Sequence, residues 1–169
     1  MKLMSEKLPD LRSLYTKELR LLLSGEEQSV WGLLRMAAAA RDSELKKALQ
    51  GHIDETEEHA KRLRAILEGL HGESSLIKCK TVDALLAEAE DLIEDASDDA
   101  VRDAALIATA QRLEHYKIAG YGALRHFAWV LGRDEDAKLL NESIDDGRRA
   151  DRDLTRVAER INPTARKAA

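Results

Sequence analysis

The stretch from Val101 to Val130, VRDAALIATAQRLEHYKIAGYGALRHFAWV, is the longest nearly uninterrupted apolar run in the chain. As a helix it carries apolar residues most of the way round, so other helices must cover it on most sides. At the 3.6-residue period Ile107, Ala110, Glu114, Ile118 and Tyr121 share one face. A carboxylate in the middle of such a face is costly unless a cation, a proton or several hydrogen bonds compensate it. Other helices must therefore bring matching groups to the depth of Glu114.

Composition decides what can do the covering. Of 169 residues, 44% are hydrophobic, 35% charged and only 4% aromatic, with 9 Gly and 2 Pro. Ala, Leu, Glu, Lys and Arg dominate and β-branched residues are sparse, which favours an all-α domain over a sandwich or barrel. The length suits one domain with a real core. The net charge of −5 with interleaved acids and bases gives no nucleic-acid-binding surface. A lone Cys79 excludes an intramolecular disulfide and fits a reducing compartment. No apolar run approaches the ~18 charge-free residues of a membrane span, so the expected compartment is the cytoplasm, with no membrane partner.

Taken in order, residues 1–10 are a polar segment, 11–162 a single helical bundle domain and 163–169 a polar tail. A first helix runs from Leu11 to about Ala40, with Glu26 on its apolar stripe; a border position whose side chain reaches solvent is the plainest reading of that residue. Asp42 or Ser43 reads as the N-cap of a second helix, about 44–70, ended by Gly69 and Gly72. The inward stripe of that helix turns polar at its centre, through His52, Glu55/Thr56 and His59. A long connection holds a short amphipathic helix that Thr81 would cap. The acidic stretch 94–99 then leads into the central helix, Gly132-Arg133-Asp134 closes it, and a last helix runs from about 135 to Asn162-Pro163. Four long helices joined short, long, short give a ferritin-like four-helix bundle with one long crossover carrying a short fifth helix. A short echo between residues 40–49 and 132–140 suits a duplicated hairpin.

Bundles of this topology can place a carboxylate from each of two helices, and a Glu and a His from each of the other two, around a pair of metal ions. Glu26 and Glu55 fall within about one turn of the same depth across the first hairpin. Glu114 and the 142–151 segment bracket the second similarly. The stretches Ser24-Gly25-Glu26-Glu27-Gln28, His52-x-x-Glu55-Thr56-Glu57, Lys78-Cys79, Val101-Arg102-Asp103 and, above all, Glu114-His115-Tyr116-x-Ile118-Ala119-x-Tyr121-Gly122 resemble the YciE/YciF family of bacterial ferritin-like stress proteins. The resemblance covers about residues 18–162. It implies a rubrerythrin-like bundle, a homodimer and a candidate di-iron site, with manganese as the alternative metal. It does not imply a known reaction.

Carried over position by position, the resemblance makes Glu26, His52, Glu55, His59, Glu114 and Asp146 the candidate metal ligands. Glu55 and Glu114 would bridge or chelate, Glu26 and Asp146 would be terminal, and a histidine would complete the shell. Such a centre would oxidise Fe(II) with O₂ or peroxide in a stress response, and would need an electron donor. Two departures from the family pattern bear on this. Lys117 stands where relatives carry Glu, and Asp145-Asp146 replaces a Glu pair. Lys117 could pair with Glu114 in place of one cation. The rival expectation is a non-catalytic helical dimer that keeps the fold with a degenerate metal site and a structural or partner-binding role. His52 and His59 read equally well as buried, hydrogen-bonded residues. His115 should face backbone or solvent, and Tyr15, Tyr116 and Tyr121 should be core or interface. Trp31, Phe127 and Trp129 should make packing or dimer contacts, Asp103 a local ion pair, and Cys79 an inert thiol.

Overall fold

The computed structural model describes residues 7–70 and 77–166. Its elements are α1 (Leu11–Ala39), α2 (Ser43–Glu68), α3 (Lys80–Asp95), α4 (Asp99–Val130) and α5 (Asp134–Ala165), and the described residues contain no strand. α1 packs antiparallel on α2, and α4 antiparallel on α5. The two hairpins face each other through α1 with α4 and α2 with α5, while α3 lies across α1 and α4. This is the all-α bundle with one long crossover that the hydrophobic spacing predicts.

The helix ends follow local chemistry. Asp10 accepts from the Ser13 N–H at 2.7 Å to cap α1, and Asp42 accepts from the Glu44 and Leu45 N–H groups at 3.0 Å to cap α2. Asp98 does the same for α4 through Ala100 and Val101. Gly132, at φ +70°, takes the left-handed turn that ends α4, with the Arg133 N–H reaching back to the Ala128 carbonyl. Two boundaries differ from expectation. α3 begins at Lys80 after Cys79, which makes no side-chain cap, so Thr81 lies inside the helix. α5 does not stop at Asn162-Pro163 but continues through Pro163 to Ala165. Pro163 sits in an exposed last turn, where water can take the carbonyl that its missing N–H would have bound. Of the expected terminators of α2, Gly69 is its C-cap, while Gly72 lies outside the described residues.

The echo between the two hairpin turns is imperfect. Asp42 caps α2 from outside, whereas Asp134 is already the first residue of α5, one position displaced. Among the described residues Asp103 forms no ion pair. It is buried on α4, where its two carboxylate oxygens accept the Arg41 and Asp42 N–H groups at 2.8 and 2.7 Å and so fix the α1–α2 turn. The crossover helix needs small residues beneath it. A Cβ at Gly32 would lie 2.0 Å from Leu86, and one at Gly25 would lie 3.2 Å from Val82. α3 therefore rides directly on the α1 backbone.

Two apolar clusters fill the bundle. One gathers Leu19, Leu22, Leu63, Ile66, Leu124 and Leu140 with Tyr15 and Tyr121; the other gathers Leu33, Met36, Leu45, Leu49, Leu106 and Leu154. On α1 the first cluster ends at Leu23 and the second begins at Leu33. The layer between them is polar.

Candidate functional site

Three of the four long helices send buried polar side chains into that layer. Glu26 comes from α1, His52, Thr56 and His59 from α2, and Glu114, Lys117 and Tyr121 from α4; all are at most 3% exposed. Glu26 is thus not a border residue. On α2 the inward position is Thr56, between His52 and His59 at spacings of four and three. Glu55, about 100° round the helix, is turned to the outside. There it accepts a 2.8 Å hydrogen bond from Arg149 on α5, and it does not reach the centre that the family resemblance assigns to it.

Lys117 organises the layer. Its Nζ lies 2.5 Å from Glu114 Oε1 and 3.2 Å from Glu26 Oε2, the latter without hydrogen-bond alignment. It also donates to the Thr56 hydroxyl at 3.3 Å, and that hydroxyl in turn donates to the His52 carbonyl at 2.7 Å. Burial alone would drive the ammonium to lose its proton, but Glu114 and Glu26 outweigh it and hold the Lys117 pKa above its ordinary value. Burial likewise opposes ionisation of both carboxylates, yet Lys117, with His59 for Glu26 and His52 for Glu114, holds each below the ordinary range. The pairing of Lys117 with Glu114 follows the expectation. Its simultaneous approach to Glu26 has no signal in the sequence, because it depends on how α1 is set against α4.

The remaining groups complete two branches. Tyr121 donates to Glu26 Oε1 at 2.7 Å, and His52 Nε2 makes a very short contact with Glu114 Oε1. His59 lies edge-on to the Tyr121 ring, with Nδ1 3.4 Å from Glu26 Oε1 and Nε2 3.4 Å from Asp146 Oδ2. Among the described residues neither His59 nitrogen has a hydrogen-bond partner, nor has His52 Nδ1. Asp146 stands at the edge of the layer, where Arg62 and Arg149 each bond it at 2.8 Å and, against its partial burial, keep its carboxyl below the usual range. Arg149 one turn after Asp146 was a readable clue to that pairing; Arg62, from α2, was not. Gly147 is the other feature that sequence reasoning missed. A Cβ there would sit 2.7 Å from Glu114 Oε2, so α5 leaves a notch for the carboxylate.

Other expectations resolve simply. His115 is exposed, 3.4 Å from Asp151, and Tyr15 is core, donating to Asp136 at 3.0 Å. Cys79 is buried, with its sulfur 3.2 Å from the Tyr116 hydroxyl. Phe127 packs against the first apolar cluster, whereas Trp31 and Trp129 stand 73% and 65% exposed. Among the described residues no three acidic, histidine or cysteine side chains are arranged to hold a metal ion.

Against this geometry, comparison with known proteins is informative. Residues 10–167 match the family described as a domain of unknown function, DUF892. The chain belongs to this family. It is 38% identical over 149 residues to the family relative YciF of Escherichia coli K12, covering 86% of this chain and 87% of that one. The crystal structure of the E. coli stress protein YciF superposes with a TM-score of 0.88 and 32% identity, over 92% of this chain and 99% of that one. YcfI of Rhodopseudomonas palustris, described as a candidate structural protein, follows at 0.86 and 30% identity, over 90% and 98% of the two chains. A ferritin-like, diiron-carboxylate protein of Bacillus anthracis shares the fold at a TM-score of 0.70 and 19% identity, over 89% of this chain and 99% of that one. The YciF-type ferritin-like fold read from the sequence is therefore the fold of this chain.

Proposed function

We propose that this chain is a ferritin-like stress-response protein of structural or partner-binding type, in which a lysine takes the place of metal charge at the bundle centre. One observation carries the reading: the Lys117 ammonium lies between Glu26 and Glu114, 3.2 Å from one and 2.5 Å from the other. The stress role rests on likeness to YciF, and the structural role on likeness to YcfI. Two metal ions need about four inward carboxylates and two histidines. Here two carboxylates face a lysine, Glu55 is bound to Arg149, and Asp146 is shared by Arg62 and Arg149. That donor set does not fit an iron or manganese pair, so no Fe(II)-oxidising step is built on it.

A second reading is favoured by His59. Both ring nitrogens lie 3.4 Å from carboxylate oxygens of Glu26 and Asp146 without a hydrogen-bond partner among the described residues; as placed the three side chains form no metal site, so this reading requires them to rearrange around one cation. The test is metal content of protein purified without chelator, followed by anaerobic titration with Fe(II) and Mn(II). We expect no stoichiometric metal and an unmoved melting temperature, and we expect Lys117→Glu to create affinity that the natural chain lacks. One iron per chain, lost in His59→Ala, would establish the second reading. Two irons per chain would overturn both and restore the di-iron centre.

A further inference from the structure

Four carboxylates in and around the polar layer come one from each long helix: Glu26 from α1, Glu55 from α2, Glu114 from α4 and Asp146 from α5. They fall into two pairs, and each pair closes on a single nitrogen. Inside, Lys117 Nζ stands 2.5 Å from Glu114 Oε1 and 3.2 Å from Glu26 Oε2. At the rim, Arg149 Nη2 stands 2.8 Å from Glu55 Oε1 and 2.8 Å from Asp146 Oδ1. A guanidinium NH₂ carries two N–H groups, so this one nitrogen donates to both carboxylates. The second Asp146 oxygen accepts from Arg62 at 2.8 Å. His59 lies between the pairs, with Nδ1 3.4 Å from Glu26 Oε1 and Nε2 3.4 Å from Asp146 Oδ2.

Four carboxylates from four helices is the number that a metal pair in such a bundle uses. Lys117 answers the inner two. What turns the outer two away is Arg149, three residues after Asp146 on α5. A hard divalent cation takes carboxylate oxygens at about 2.0–2.6 Å. A nitrogen already bonded to both oxygens occupies that place, so ion and guanidinium exclude each other. We propose that Arg149 is a second resident cation, a positioning residue that holds Glu55 and Asp146 at the rim and shuts the outer half of the site to a divalent ion, as Lys117 shuts the inner half. This rests on the reading that side-chain charge replaces metal in this bundle. It adds that two substitutions, not one, separate the chain from a metal pair. Arg149 is 52% exposed, so losing its side chain opens no internal cavity, and Ala suits a helix.

Mn(II) would be added anaerobically to the natural chain and to Lys117→Glu, Arg149→Ala, Arg149→Lys and the Lys117→Glu/Arg149→Ala double variant. Electron paramagnetic resonance would count free Mn(II), and circular dichroism would confirm that each protein is folded. We expect no bound ion in the natural chain, one per chain in Lys117→Glu, one in Arg149→Ala and two in the double variant. Arg149→Lys, which keeps the charge, should bind Mn(II) at least about tenfold more weakly than Arg149→Ala, the scale on which groups behind the ligands alter metal affinity. Two ions in Lys117→Glu alone would overturn the proposal, as would an Arg149→Ala that binds no better than the natural chain. Equal binding by Arg149→Ala and Arg149→Lys would do the same, since charge would then not be what excludes the ion. Metal in the natural chain would instead sink the proposed function, while the two Arg149 variants would still decide this inference. That pair also suffices if Lys117→Glu does not fold.

Discussion

Lys117 carries one charge and answers two. With Glu26 and Glu114 both ionised, its removal leaves uncompensated carboxylates in a layer buried from solvent, the situation in which breaking a buried ion pair costs about 3–5 kcal/mol. Lys117→Ala should therefore lose stability on that scale in urea unfolding at neutral pH. A loss below about 1 kcal/mol would mean that water or protons replace the ammonium easily. How much of the layer was legible depended on the residue. Glu114 could be read because Ile107, Ala110 and Ile118 on its face are apolar. Glu55 could not, since it adjoins Thr56 on a stripe already polar, and only packing shows which of the two turns in. His59 could be placed on the inner face, but its distances to Glu26 and Asp146 come from two other helices.

Among the elements, α2 and α5 are joined by ion pairs as well as by apolar packing: Arg62 with Asp146, Arg149 with Glu55, and Arg160 with Asp42 and Glu44. The Asp42–Arg160 clasp is the clearest case. The hydrogen bonds of Arg160 come first among the causes that hold the Asp42 carboxyl at about 2 against an ordinary 3.8. An acid depressed on folding contributes stability that is fully present above its unfolded value and is lost as pH falls through its folded one. Stability should thus decline between about pH 4 and pH 2, and Arg160→Ala should flatten that part of the curve. Denaturant midpoints of the two proteins across that window would show it; parallel curves would remove Asp42 as the source. Helix number, order and most termini were legible from caps and periodicity, because those signals are local. Pro163 and Thr81 misled as boundaries because each acts only through its context: an exposed last turn for one, a helix start set by Cys79 for the other. The embedding of α3 on Gly25 and Gly32 was invisible, since a glycine in a helix looks like a mere interruption until something rests on it.

For the whole molecule, the large exposed apolar residues bear on assembly. Trp31, 73% exposed on α1, lines a shallow recess together with Leu86 and Ile93 of α3, and Leu34 of the same helix is 42% exposed. We expect this face to join two copies, so that sedimentation velocity gives a dimer and Trp31→Glu gives a monomer with unchanged helicity. A natural chain that sediments as a monomer at micromolar concentration would refute that. The polar layer has a different consequence at this scale. Aliphatic side chains above and below it would accept one helix slid along another by a turn, about 5.4 Å, with modest repacking. A single ammonium set between carboxylates from opposite hairpins would not, because the slide strands all three charges. The layer therefore works as an alignment key between two otherwise greasy halves, and hybrids that join one hairpin of this chain to the complementary hairpin of a relative should assemble only where the key matches.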